Sequence, residues 1–140
     1  MAVHFFSADA KAPVIPRTKL KLFIKNLFKS EGKSLSDLSY VFCSDEYLLT
    51  INRQFLQHDY YTDIITFDIS DDSHEIKGEI YISIDRVRDN AHQLGLTTQT
   101  ELLRVIFHGA LHLCGYKDKT KTQQSLMRKK EDYYLAKFHK

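Results

Sequence analysis

The sequence predicts an α+β fold in which a small mixed β-sheet packs against helices. Strand-like runs and segments of helical periodicity follow one another in the order β-α-β-α-β-β-α-α-α, which is typical of this class. The 140 residues, of which 43% are hydrophobic, are enough to bury one core. Neither an internal repeat nor a Gly/Ser/Pro-rich linker interrupts them. We therefore expect a single domain over residues 1–140.

The first six predicted elements alternate between strands and helices and end on two consecutive strands. They are a strand over 3–7, a helix over 17–32, a strand over 38–44, a helix over 47–55, and strands over 63–70 and 79–84. Apolar residues recur at helical spacing in the first helix, and Gly32 supplies its end. Ser44 or Asp45 can cap the second helix, while β-branched and aromatic residues enrich the strands.

Three more helices are predicted after the last strand. The first begins at Asp85 and is closed by Gly95. Thr98 and Glu101 then form a capping-box signature for the helix that ends near Cys114. Because this helix is apolar nearly all round, we expect it to be the buried central one. A last, polar-rich helix is expected over residues 123–138.

The net charge of +2 is unevenly distributed along the chain. Residues 11–33 carry a balance of +6, residues 34–89 one of −8, and residues 90–140 one of +5. The first predicted helix has four basic residues in one i, i+4 stripe: Arg17, Lys21, Lys25 and Lys29. Like charges at this spacing each cost about 0.2–0.5 kcal/mol. The stripe is therefore either tolerated in water or kept to bind an anion.

The composition favours a cytoplasmic protein without a membrane segment. No apolar run approaches the roughly 20 residues that span a bilayer. The first residues lack the basic start and apolar stretch of a signal peptide. Cys43 and Cys114 lie far apart and form no CxxC pair, which suits a reducing compartment.

The stretch HGALHLCGYKDK, residues 108–119, holds the strongest candidate for chemistry. On a helix, His108 and His112 project from one face, a geometry common in zinc pairs. Gly115 can turn the chain after the helix so that Asp118 approaches both imidazoles. Three protein ligands would leave a fourth position for water, as in catalytic zinc sites. The alternative is a pair of core histidines beside an unrelated loop.

Two neighbouring residues narrow this prediction. Cys114 lies on nearly the opposite side of the helix from His112, so we interpret it as a core residue and not as a ligand. In the metalloprotease motif H-E-x-x-H, the residue after the first histidine is the general base. Here that residue is Gly109, so peptide hydrolysis by this route lacks its base.

The motifs together resemble the YbeY family of metal-dependent endoribonucleases. HGALHLCGY is similar to that family's H-G-x-L-H-L-x-G-Y signature, TDIITF (62–67) to T-D-V-L-S-F, and GEIYIS (78–83) to G-D-I-x-I-S. Asn52 and Asp59 stand at its L-N-x-x-F and charged-turn positions. The resemblance implies a zincin-like α+β fold with one zinc ion held by three residues. It also implies cleavage of single-stranded RNA in 16S ribosomal RNA 3′-end maturation and ribosome quality control.

The chain departs from the family pattern at two positions. The third metal-ligand position holds Asp118 instead of histidine, which lowers the net charge of a zinc site from +2 to +1. The flanking Lys117 and Lys119 can offset that charge or hold a phosphate. Leu56 replaces an arginine that would suit an RNA phosphate. Arg53, one helical turn earlier, is a possible substitute for it.

The leading hypothesis is a zinc-dependent endoribonuclease whose catalytic metal is held by His108, His112 and Asp118. The metal would either activate water or neutralise charge on the phosphodiester. Single-stranded ribosomal RNA is the expected substrate, with the ribosomal subunit or assembly proteins as further partners. The alternative is an RNA-binding ribosome-assembly factor with a mainly structural metal site. A metallopeptidase is disfavoured by Gly109.

Overall fold

The computed structural model describes residues 2–11, 13–71 and 74–140 and contains the predicted order of elements. The elements are β1 (Val3–Ser7), α1 (Arg17–Ser30), β2 (Ser34–Cys43), α2 (Asp45–Leu56), β3 (Ile64–Asp68), β4 (Glu75–Ser83), α3 (Ile84–Leu94), α4 (Thr98–Leu113) and α5 (Lys121–Phe138). The predicted α+β class is therefore confirmed. No described helix is both long enough and apolar enough to cross a membrane.

The four described strands form a mixed sheet in the order β1-β2-β4-β3. β2 pairs in parallel with both β1 and β4, whereas β3 runs antiparallel to β4 at the sheet edge. The pairing of Ile64 with Ile82 sets the start of β3 beside the end of β4. The peptide N–H of Ser83 donates to the carbonyl of Asp63 at 2.9 Å and fixes the residue that precedes β3.

The sheet is covered on both faces. Side chains of successive strand residues point to opposite faces. Ile80 and Ile82 belong to the large core, which also holds the buried side of α4. Tyr81 packs instead in a smaller cluster with Leu48 and Ile51 of α2. The sheet therefore lies between α2 on one face and α4 on the other.

Helix α4 is the buried central helix that the sequence predicts. Ten of its sixteen residues are buried. The Tyr40 hydroxyl of β2 donates to the carbonyl of Ile106 at 2.9 Å, which joins the helix to the sheet. At Gly109 the helix comes so close that an added Cβ would lie 2.8 Å from Cδ1 of Ile80 and 3.0 Å from Cδ1 of Ile64.

The prediction of a capping box at Thr98 and Glu101 is wrong, because the N-cap lies one residue earlier. Thr97 is the N-cap, and its hydroxyl accepts from the peptide N–H of Thr100 at 3.1 Å. Glu101 is fully buried and binds Arg104, so it is not available to cap the helix. A complete capping box begins α5, which starts two residues earlier than predicted.

Candidate metal centre

Two histidines of α4 present their rings on one face of the helix. The ring centroids of His108 and His112 lie 5.2 Å apart. The side chain of His108 is 15% exposed and that of His112 is 34% exposed. The rings are thus reachable from solvent while their helix is held in the core.

The chain turns back immediately after α4. The predicted Gly115 turn is present, with φ at +109°. The peptide N–H of Gly115 donates to the carbonyl of His112 at 3.0 Å, and that of Tyr116 donates to the carbonyl of Leu111 at 3.1 Å. These bonds close the helix end and direct the following residues toward the histidine face.

Asp118 reaches both imidazoles from this turn. Its Oδ2 lies 3.2 Å from Nε2 of His108, and its Oδ1 lies 3.4 Å from Nε2 of His112. One ligand atom from each of the three residues falls within 4.8 Å of the others. The structure therefore brings the three predicted ligands into a group that can bind a metal ion.

The protonation of His112 suits a ligand. Burial lowers the pKa of His112 below 6.5, and the neighbouring His108 lowers it further, against the opposing effect of Asp118. The imidazole is therefore mostly neutral at neutral pH and keeps a lone pair for a metal.

A chain of ionic contacts extends inward from His108, and the sequence analysis missed it. Nδ1 of His108 lies 2.6 Å from Oε2 of Glu131, a residue of α5. Oε1 of Glu131 accepts from Nη1 of Arg104 at 2.9 Å. Arg104 also donates to both carboxylate oxygens of Glu101, with Nε at 2.8 Å. The helix is otherwise mostly apolar, but one polar stripe runs along it, formed by Glu101, Arg104, His108 and His112. The helical spacing of these residues could have been recognised in the sequence.

The ligand group lies in a cleft of about 410 Å³. Leu56 lines it, so the position at which the resemblance implied an arginine faces the candidate site. Arg53 does not line it and instead pairs with Asp59, Nε to Oδ1, at 2.5 Å. The structure therefore does not place Arg53 at the site as a substitute for the missing arginine.

Asp63 also lines the cleft and was given no role by the sequence analysis. Burial raises its pKa above 3.8, although the neighbouring Arg104 and His108 oppose that effect. The TDIITF motif marked this segment, but the position of the carboxyl depends on the pairing of β3 with β4.

Lys117 and Lys119 are exposed on either side of Asp118. They line a neighbouring depression of about 490 Å³ that shares His112 and Asp118 with the cleft. The two lysines therefore lie beside the ligand group, where an anion in this depression would meet both of them.

Cys114 is a core residue, as the sequence predicts, and Tyr116 packs against the same core. Cys114 is buried, and burial raises the pKa of its thiol to about 12. Tyr116 donates from its hydroxyl to Oε1 of Glu31 at 2.7 Å. Neither residue belongs to the ligand group found among the described residues.

Comparisons with known proteins give one consistent family. The sequence profile described as "Endoribonuclease YbeY" matches residues 7–139. A Cytophaga hutchinsonii protein named "Endoribonuclease YbeY" is 50% identical over 134 residues, which cover 96% of this chain and 94% of that protein. A Bacteroides thetaiotaomicron protein of the same name is 46% identical over 136 residues, or 97% of this chain and 98% of that one.

A solved structure shares the fold of this chain. The solution structure of a Thermotoga maritima protein is similar with a TM-score of 0.62 and 26% sequence identity. The match covers 97% of this chain and 88% of that chain. The likeness in fold therefore extends over nearly the whole molecule.

Proposed function

Because the chain belongs to the YbeY family, we propose that residues 1–140 form one metal-dependent endoribonuclease domain. Its substrate is single-stranded RNA, and its role is 3′-end maturation of 16S ribosomal RNA and ribosome quality control in the cytoplasm. The observation that supports this function best is the group of His108, His112 and Asp118 inside an open cleft. An exposed phosphodiester can reach such a group, whereas a structural metal site is usually closed.

The donor set fits zinc. Imidazole nitrogen and carboxylate oxygen are both ordinary zinc ligands, and three protein ligands leave one position open. The ligands would be Nε2 of His108, Nε2 of His112 and a carboxylate oxygen of Asp118. A bound zinc ion would supply Lewis-acid chemistry, either for activating water or for neutralising charge on the phosphodiester.

The residues of this chain divide the remaining tasks. His108 and His112 are held by α4, and the Gly115 turn presents Asp118 to both of them. We assign RNA phosphate binding to Lys117 and Lys119, with the basic residues of α1 as a second surface. Since these contacts are electrostatic, the affinity for RNA should fall as salt rises.

A metal and cleavage experiment tests the function. Protein purified without added metal is submitted to element analysis and then incubated with single-stranded RNA, with and without zinc. We expect stoichiometric metal, cleavage by the metal-loaded protein and none by His112→Ala. If no metal is retained, or if Asp118→Ala binds zinc as tightly as the parent, the ligand assignment is wrong.

One observation favours a second function, that of an RNA-binding ribosome-assembly factor. Of the described residues that line the cleft, Arg104 has the only permanent positive charge, and two carboxylates already bind it. Leu56 adds none. Metal-loaded protein that retains single-stranded RNA without cutting it would support this function instead. Ribosomal subunits or assembly proteins would then be its partners.

A further inference from the structure

We propose that Glu131 and Arg104 are positioning residues of the metal centre. Glu131 fixes the tautomer and the orientation of His108, and Arg104 holds Glu131 in place. This inference rests on the metal site of the proposed function. It concerns how tightly that site binds its ion, and not which reaction it performs.

The contact between Glu131 and His108 determines which imidazole nitrogen is free. A carboxylate only accepts hydrogen bonds, so the 2.6 Å contact to Nδ1 places the hydrogen on that nitrogen. Nε2 is then the ring nitrogen left for a metal, and it faces Asp118 at 3.2 Å. A carboxylate on the outer nitrogen is a common partner of zinc-bound histidine, where it fixes the ring and raises its basicity.

Burial makes this contact rigid. Glu131 is 2% exposed, and a buried carboxylate is costly unless it is paired. Nη1 of Arg104 at 2.9 Å and Nδ1 of His108 at 2.6 Å supply this pairing. The Glu131 carboxylate is therefore held between the guanidinium of Arg104 and the ring of His108.

Arg104 is in turn fixed by a second buried carboxylate. Its guanidinium is clamped by the two oxygens of Glu101, which is 0% exposed. The remaining Nη1 donates to Glu131 at 2.9 Å. A planar guanidinium bound in this way has little rotational freedom, so it orients the Glu131 carboxylate toward His108. Arg128 lies further off, with its Nε 3.9 Å from Glu131.

An ion pair between α4 and α5 that only stabilised the fold would affect metal binding little. The distinguishing feature is that Glu131 and Asp118 contact opposite nitrogens of the same ring. Glu131 therefore acts on a ligand atom through the imidazole, whereas an ordinary helix–helix ion pair acts on no ligand.

Zinc affinity is the direct test. Glu131→Gln keeps the size of the side chain and one acceptor oxygen but removes the charge. The matched control is Asp45→Asn, because Asp45 is a half-buried carboxylate that binds Arg86 at 2.6 Å, and it does not line the cleft. The zinc dissociation constant is measured by competition with a chromogenic chelator, and folding is checked by thermal denaturation.

We expect Glu131→Gln to weaken zinc binding by about 10-fold or more, as is typical for the outer partner of a ligating histidine. Asp45→Asn should leave the dissociation constant unchanged. Equal affinities for the two variants would overturn the inference while leaving the metal site intact. A parent protein that binds no zinc would overturn both the inference and the proposed metal site.

Proton NMR of the zinc-loaded protein gives a second readout if Glu131→Gln is poorly stable. The parent should show a downfield, slowly exchanging Nδ1–H resonance of His108. Arg104→Lys retains a positive charge but loses the planar guanidinium that binds Glu101 and Glu131 together. It should shift this resonance upfield. An unchanged resonance in Arg104→Lys would show that Arg104 does not position the pair.

Discussion

At the residue scale, the chemistry that we propose for the site depends on the carboxylate of Asp118. It lies against Nε2 of both His108 and His112, so it can serve as the third ligand without a large movement. An anionic ligand lowers the net charge of a zinc site and so weakens its acidifying effect on water. The same charge would hold the cation more firmly.

Replacing this carboxylate with imidazole tests its effect on the reaction. Asp118→His should retain zinc, since histidine is an ordinary ligand, but the site would gain one unit of positive charge. We expect the rising limb of the cleavage rate against pH to move to lower pH. The rates are measured with zinc-loaded protein on single-stranded RNA. A limb that stays in place would mean that water bound at the metal does not set the pH dependence.

The sequence predicts the ligands better than it predicts their support. The four-residue spacing of the histidines and the glycine at the helix end were enough to predict that His108, His112 and Asp118 lie together. Glu101 and Arg104 were readable from the same helical stripe. Glu131 was not, because it comes from α5 and meets His108 only through the packing of two helices.

At the element scale, the close approach of α4 to the sheet explains the glycine after the first histidine. A Cβ at Gly109 would meet Ile80 of the core and Ile64, which packs against that core. A glutamate there, as in a metallopeptidase, would have to enter the same apolar contact. The fold therefore disfavours the peptidase base for a steric reason.

Gly109→Val tests this packing. We expect a loss of about 1–3 kcal/mol in the free energy of unfolding, the usual cost of overpacking a core. Urea denaturation of the metal-free protein measures it. The control is Gln99→Ala on the exposed side of α4, which should change stability by no more than about 0.5 kcal/mol. Equal effects would mean that the sheet can move away from the helix.

The turn after α4 gives a second prediction at this scale. Gly115 has φ at +109°, which side chains rarely adopt, but an added Cβ would meet nothing within 4 Å. Gly115→Ala should therefore relax the turn and move Asp118, so that zinc binding weakens. Gly95→Ala also puts a side chain at positive φ, here +69° at the end of α3, again without a clash. Competition with a chelator measures the zinc affinity of both variants, and only Gly115→Ala should bind zinc more weakly than the parent. Equal affinities of the two variants would contradict this role of the turn.

The limits of prediction for the elements have a physical cause. β2 begins at Ser34, four residues before the predicted start, because Ser34, Leu35 and Asp37 pair with Glu75, Ile76 and Lys77 of β4. These residues are too polar to form a recognisable strand pattern. Long-range pairing therefore decides their structure, whereas α4 was predictable because its apolar residues cover nearly the whole helix.

At the scale of the whole molecule, Glu31 joins three separate parts of the chain. Its carboxylate accepts hydrogen bonds from the hydroxyl of Tyr116, in the turn after α4, at 2.7 Å and from that of Tyr134 in α5. It also pairs with Lys130 at 3.3 Å. Burial raises the pKa of Glu31, but these three partners outweigh it and hold the pKa below 4.5. The end of α1 is thus tied both to α5 and to the turn that carries Asp118.

This linkage makes the stability of the metal-free protein depend on pH. A carboxylate whose pKa is lower in the folded state stabilises the fold fully above its ordinary pKa, and it loses that contribution as pH falls through the folded pKa. The folded protein must then take up a proton at the expense of its contacts. The pKa of Glu131 is also lowered, so its contribution is likewise lost toward acid pH.

Glu31→Gln isolates one of these contributions. The variant should be less stable than the parent at pH 7, and the difference in the free energy of unfolding should shrink as the pH falls below 4.5, where the parent also loses its charge. Urea denaturation in the presence of a chelator, at pH 7 and at several lower pH values, measures the free energy of unfolding of the parent and of the variant. Asp132→Asn on the exposed side of α5 should change stability by no more than about 0.5 kcal/mol. A difference for Glu31→Gln that is constant with pH would mean that the side chain contributes through packing alone, because a contribution from its charge must disappear when the parent is protonated.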